Sequence, residues 1–182
     1  LDNGVIKKYR SKEFLDKSLG NLYNYSFFGP LWVTSQIHKQ GKVILDFGGK
    51  IEQGNEVLSK LPMLDAFSEH YHKSFSYAPD WENFIKSDHS RAVQVVQLIK
   101  SKNKFQILNV HGIWTSDKKG DERTVKECKY FVKTATMKSL PTIIAGDFNL
   151  LPDTESIKIM NNNFRNLINE YNIETTRPTY IK

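Results

Sequence analysis

Cysteine is nearly absent from this 182-residue chain. Cys128 is the only one, which excludes an internal disulfide and a cysteine-based zinc cluster. It falls within an amphipathic helical pattern and reads as a core residue, not a nucleophile. No apolar run approaches the roughly 20 residues needed to cross a bilayer, so no transmembrane helix is expected and the chain reads as soluble. Repeats, linkers and low-complexity segments are also missing, and 182 residues suffice for one sizeable core but not two, so a single domain over residues 1–182 is expected. The first position holds Leu1 instead of methionine, which leaves a signal peptide, and therefore the compartment, open. Acidic residues are the scarcer charge, with 20 Asp plus Glu against 26 Lys plus Arg and a formal charge of +6. That excess favours an anionic partner such as nucleic acid or a phosphorylated small molecule, the plainer reading being a solubilising lysine-rich surface. Oligomeric state is not legible.

What is present is concentrated in the second half. The run from Thr142 to Leu151 is apolar until Gly146 and then presents Asp147 and Asn149. It reads as a buried strand delivering a carboxylate and an amide at its exit. Residues 91–99 and 105–110 read as a hairpin, followed after His111-Gly112 by a helix from about Asp121 to Ser139 whose buried face is marked by Val125, Cys128, Val132 and Ala135. Strand, helix and strand in that order join parallel neighbours, which brings His111, Asp147 and Asn149 to one rim of the sheet. The antiparallel hairpin places Arg91 near the same rim, as a guanidinium suited to phosphate. Upstream, a short helix is expected over 11–19, a strand around Tyr23, Tyr25 and Phe27 ending at a Gly29-Pro30 turn, an apolar strand over 43–47 stopped by Gly48-Gly49, and another from Gly54 to Lys60. The stretch 67–77 alternates weakly before a break at Pro79-Asp80.

The segments Ile107 to His111 and Ile143 to Asn149, the latter containing Gly146-Asp147-Phe148-Asn149, resemble the endonuclease/exonuclease/phosphatase superfamily. The run from Gly54 to Pro62 is similar to a further strand of that family, as are Arg91 and Arg123 in position. The resemblance covers roughly residues 23 to 160. It implies an α/β fold, the four-layered α/β sandwich of deoxyribonuclease I, and metal-dependent hydrolysis of phosphate esters, with magnesium as cofactor and manganese or calcium as alternatives. Carried over, Asp147 deprotonates the attacking water while His111 and Asn149 donate to phosphate oxygens. The histidine at position 111, where apurinic-site endonucleases carry tyrosine, leans toward deoxyribonuclease-like, phosphatase-like or sphingomyelinase-like branches.

Two family elements are missing. The metal-binding glutamate is expected before Leu1 and a Ser-Asp-His element after Asn149, so the resemblance implies a domain incomplete at both ends, lacking its first strand and its last one or two. Asp147 is then a candidate metal ligand, the others being unknown. Ser87-Asp88-His89-Ser90 mimics the missing element but lies at the wrong place in the chain and reads as a pre-strand loop. Trp114 is a candidate for stacking on substrate, against simple packing. His70 and His72 share a strand side without a third ligand. Glu52 could orient His111, although surface solvation is the plainer role. Asp153 reads as a helix cap and Arg123 as either a phosphate contact or a helix-surface ion pair. The functional expectation is a phosphodiesterase or nuclease. The alternative is a non-catalytic nucleic-acid or phosphoinositide binding module that keeps the scaffold without the metal carboxylates.

Overall fold

A computed structural model describes residues 15, 17–77 and 89–176. Two sheets carry the fold. The first contains β1 (Tyr25–Lys39), β2 (Lys42–Ser59) and β4 (Ser76–Tyr77) in the order β2-β1-β4. The second contains β3 (Met63–His72), β5 (Arg91–Lys100), β6 (Asn103–His111) and β7 (Thr142–Asp147) in the order β3-β5-β6-β7. Among the described residues three helices follow β6: α1 (Glu122–Thr136), α2 (Glu155–Asn161) and α3 (Leu167–Glu170).

Strand alternation divides β5 and β6 into two faces. Val93, Val95, Leu108 and Val110 pack with Cys128, Phe131 and Ala135 of α1 and Met160 of α2 to form the main core. The opposite face meets the first sheet through polar side chains. Gln94 Nε2 donates to Asn55 O at 2.8 Å, and Asn109 Nδ2 donates to Gln94 Oε1 at 2.7 Å. Helices on one face of the second sheet and the first sheet on its other give three of the four expected layers among the described residues.

The hairpin and the crossover form as the sequence predicts, and β6 and β7 pair in parallel. The first half differs. Strand β1 runs through Gly29-Pro30 and β2 through Gly48-Gly49, where turns are expected. Register shifts absorb both interruptions, one between Pro30 and Trp32, where a residue lacking an N–H is tolerated, and one between Thr34 and Gln36. Beside the second, Asp46 accepts from Gly48 N–H at 2.7 Å and from Gln36 Nε2 at 2.6 Å. Residue 15 and residues 17–19 are helical; the rest of the expected 11–19 helix, the Pro79-Asp80 break and Ser87-Asp88 lie outside the described residues.

Helix α1 begins at the N-cap Asp121, which forms a capping box with Thr124. Its buried face is rotated from the expected one and carries Thr124, Glu127, Cys128, Phe131, Thr134 and Ala135, with Val125 and Val132 only half-buried. The cap of α2 is Thr154, not Asp153, because the Thr154 hydroxyl accepts from Ile157 N–H. Strand β7 is not the buried strand that its composition suggests. Ile143 is 53% exposed, and Ala145 and Asp147 are exposed as well. The first sheet reaches β6 through β2, and β7, the edge strand, is covered by α1 on the face that carries Thr142 and Ile144 while Ile143 and Ala145 on its other face are exposed.

Candidate functional site

Parallel pairing sets His111 directly beside Asp147, the last partner pair of the β6–β7 ladder. Past that pair the two chains are tied together. Gly112 N–H donates to Asp147 O at 2.7 Å, Asn149 Nδ2 donates to Gly112 O at 3.0 Å, and Asn149 N–H donates to Asp147 Oδ1 at 2.8 Å. Asn149 adopts φ +56°, a left-handed conformation that asparagine tolerates better than most residues. This conformation turns its side chain back toward β6.

Asp147 is exposed, His111 half-buried and Asn149 only 7% exposed. Asn149 Oδ1 accepts from Lys118 Nζ at 2.6 Å, so the amide is engaged at both its oxygen and its nitrogen. Lys118 Nζ also lies 4.8 Å from the centroid of the Trp114 ring, which is 52% exposed at the same rim. Burial, together with the charges of Arg91 and Lys118, lowers the His111 pKa against an opposing pull from Asp147. The neutral imidazole, a donor at one nitrogen and an acceptor at the other, is therefore favoured at neutral pH.

Arg91 reaches the expected end of the sheet but not the rim surface. It is 4% exposed, on the strand side that faces α1, where its charge acts on Tyr71, Glu127 and His111. Arg91 stands at the strand end expected from the sequence, buried there instead of open at the rim. Glu52 is exposed on β2, and the charges acting on His111 are those of Arg91, Asp147 and Lys118. Arg123 pairs with Asp121 at 2.6 Å on the helix surface. Burial pushes the Cys128 thiol up to about 12, as suits a core residue. The Nε2 atoms of His70 and His72 are buried, and among the described residues no third metal-type side chain joins them. Ser90 donates to Leu31 O inside the molecule, and His89 is half-buried.

Two residues of the site were not anticipated from the sequence. Lys118 sits in a polar loop and gives no local signal. Glu127 has one in retrospect: Thr124, Cys128, Phe131 and Ala135 follow the three-to-four spacing of a helix face that includes position 127. Its carboxylate is 2% exposed and accepts from Tyr71 Oη–H and, at 2.9 Å, from Ile113 N–H. Burial raises its pKa from 4.5 to about 7, against lowering by those two hydrogen bonds and by Arg91. Between these values the folded state keeps a proton that the unfolded chain releases, so stability falls as pH rises from 4.5 to 7 and is flat above. Denaturant unfolding at pH 5 and pH 8 should show Glu127→Gln sparing roughly 2 kcal/mol of the loss seen in the wild type. Equal pH slopes for the two proteins would contradict this.

Magnesium takes oxygen ligands and commonly one or two carboxylates besides water and phosphate. Asp147 offers one exposed carboxylate, but no group of three or more His, Cys, Asp or Glu able to hold a metal occurs among the described residues. By themselves these residues do not make a metal site.

No family model matches the chain, and no curated protein sequence matches it. Solved structures do. Beta toxin from Staphylococcus aureus is 16% identical with a TM-score of 0.52, over 84% of this chain and 53% of the toxin chain. Sphingomyelinase C from Streptomyces griseocarneus is 13% identical with a TM-score of 0.52, over 86% and 53%. The catalytic domain of human nocturnin, with a bound sulfate anion, is 14% identical with a TM-score of 0.50, over 82% and 51%. The chain therefore shares their fold and spans about half the length of each.

Proposed function

We propose that this chain, which has the deoxyribonuclease I-like fold of the endonuclease/exonuclease/phosphatase superfamily, belongs to a metal-dependent phosphate-ester hydrolase, a phosphodiesterase or nuclease. The observation carrying this reading is the side-by-side pairing of His111 with Asp147, with Asn149 locked behind them by Lys118 and Gly112. Asp147 is the exposed base that takes a proton from water as the water oxygen bonds to phosphorus and the phosphorus–ester oxygen bond breaks, the departing oxygen taking a proton from solvent to leave as the alcohol. His111 donates an N–H to a non-bridging oxygen, where charge grows in the transition state. Lys118 adds positive charge at the same rim, and Trp114 presents an indole face to whatever the phosphate carries. Arg91 acts from beneath, through the field it exerts on His111. The net charge of +6 favours nucleic acid as the ester, and a sphingomyelinase among the structural neighbours supports a lipid phosphodiester as the competing substrate.

The metal requirement is part of this reading, and Asp147 is the described residue best placed to contribute a ligand. The test is hydrolysis of bis-p-nitrophenyl phosphate, plasmid DNA and sphingomyelin by the complete protein, with and without EDTA. Turnover that EDTA stops and magnesium restores is expected, with manganese and calcium as comparisons. Salt-sensitive DNA binding without turnover under any of these metals would replace the enzyme reading with that of a binding module.

A further inference from the structure

Glu127 is an expensive residue where it stands. A helix face that packs on a sheet is ordinarily apolar, and a buried carboxylate carries a desolvation cost that only well-formed hydrogen bonds offset. Here α1 places the carboxylate between Thr124, Cys128 and Phe131, and two donors from different parts of the fold converge on a single oxygen. One is the Tyr71 hydroxyl from the end of β3, itself packed in stacked and edge contacts with Tyr130 and Phe131. The other is the Ile113 N–H, two residues beyond His111. The second oxygen, Oε2, lies beneath Gly112: a Cβ built on that glycine would stand 3.2 Å from it and 2.5 Å from Phe148 O. Gly112 is thus pressed between the strand exit of β7 and the carboxylate of α1.

The backbone leaving His111 is consequently held from two sides. From β7, Asp147 O accepts from Gly112 N–H and Asn149 Nδ2 donates to Gly112 O. From the helix layer, Glu127 accepts from Ile113 N–H. The charged and titratable groups acting on Glu127 are Tyr71 from β3, Arg91 from β5 and Asp121 from the start of α1.

We propose that Glu127 is a positioning residue for His111, fixing the turn after β6 through Ile113 N–H while Tyr71 locks the carboxylate in place. The inference rests on the reading of His111 as a phosphate contact, since positioning matters only if the imidazole works at the rim. It explains why a carboxylate occupies a helix position that packing alone would fill with leucine or methionine. Either protonation state, and equally a glutamine, retains the acceptor oxygen that the turn requires.

The test compares Glu127→Gln, Glu127→Leu and Tyr71→Phe in the complete protein, with two readouts. The first is the ¹⁵N-labelled His111 imidazole signal together with hydrogen exchange at the Ile113 amide, neither of which depends on catalysis. The second is kcat and KM for bis-p-nitrophenyl phosphate. Glu127→Leu is expected to speed Ile113 exchange by about tenfold or more and to shift the His111 signal. It should lower kcat by about thirtyfold to a hundredfold with KM within about twofold, because a small displacement of a reacting group is costly while binding is spared. Glu127→Gln is expected to bring exchange, imidazole signal and kcat back to within about threefold of the wild type. If Glu127→Leu does not fold, Tyr71→Phe decides, with a change in the same direction of about fivefold in exchange. An unmoved His111 signal and unaltered Ile113 exchange in Glu127→Leu or Tyr71→Phe would overturn the proposal, as would Glu127→Gln behaving like Glu127→Leu. Signals that move as expected in a protein whose hydrolysis is untouched by His111→Ala would uphold the positioning and refute the catalytic reading instead.

Discussion

Replacing Asp147 with alanine in the complete protein is expected to lower phosphate-ester turnover by about a thousandfold while leaving the fold intact, a loss typical of removing a general base. The two effects separate because of where the residue stands. Its side chain is exposed at the end of the edge strand, and the bond holding the neighbouring chain, Gly112 N–H to Asp147 O, is made by its backbone and survives the substitution. What the fold loses is the acceptor for Asn149 N–H, worth about 1 kcal/mol. Asp147→Asn isolates the chemistry further, since an amide oxygen preserves that acceptor and removes the basicity. Both variants should melt close to the wild type and both should lose about a thousandfold in turnover, so that near-wild-type rates are the contrary result. Turnover surviving at that level in either would remove Asp147 from the reaction and, with it, the main support for a hydrolytic site at this rim.

Gly146→Ala is expected to be the most destabilising small substitution near the site, at about 4 kcal/mol. Gly146 adopts φ +139°, a conformation that L side chains rarely adopt, and a Cβ there would lie 2.0 Å from Val110 O, inside the β6–β7 ladder. Relief requires β7 to move away from β6 one residue before His111 meets Asp147, so activity should fall along with stability. Gly41 is the internal comparison. It also has positive φ, +74°, but nothing lies within 4 Å of its added Cβ, so Gly41→Ala should cost only about 1 kcal/mol. Thermal unfolding of the two variants checks the contrast, and equal melting temperatures would show that the close approach at Val110 is not a constraint.

The legible part of the fold is the part built from local signals. The hairpin of β5 and β6 and the capped helix α1 are written in alternation, turn residues and an acidic first turn. The right order of strand, helix and strand is enough to bring His111 beside Asp147. Where reading failed, a non-local contact had intervened. Gly29-Pro30 and Gly48-Gly49 look like turns by composition and become irregularities within long strands because β1 and β2 pair along their length. Gly54 belongs to the same pairing: a Cβ on it would lie 2.1 Å from Gly29 O, so that close approach leaves no room for a larger residue.

Sequence alone determined the class of fold and the pair of residues that faces the rim. Period-two alternation, a crossover of sufficient length and the parallel rule leave few other arrangements for His111 and Asp147. Tertiary structure decided the faces and the supporting contacts. Arg91 lies at the predicted end of its strand yet on the side turned toward α1, since successive strand residues point to opposite faces and both faces of β5 are covered there. The run from Thr142 to Asp147 reads as buried, but whether the second face of an apolar strand is covered depends on the reach of another sheet, and among the described residues the first sheet packs mainly on β6. Lys118 and Glu127 join the site through partners distant in the chain, Asn149 in one case and Tyr71 with Ile113 in the other. A lysine in a loop reads as solvated surface, and helix spacing puts Glu127 on the buried face without naming its partners, so packing supplies the groups that make both part of a site.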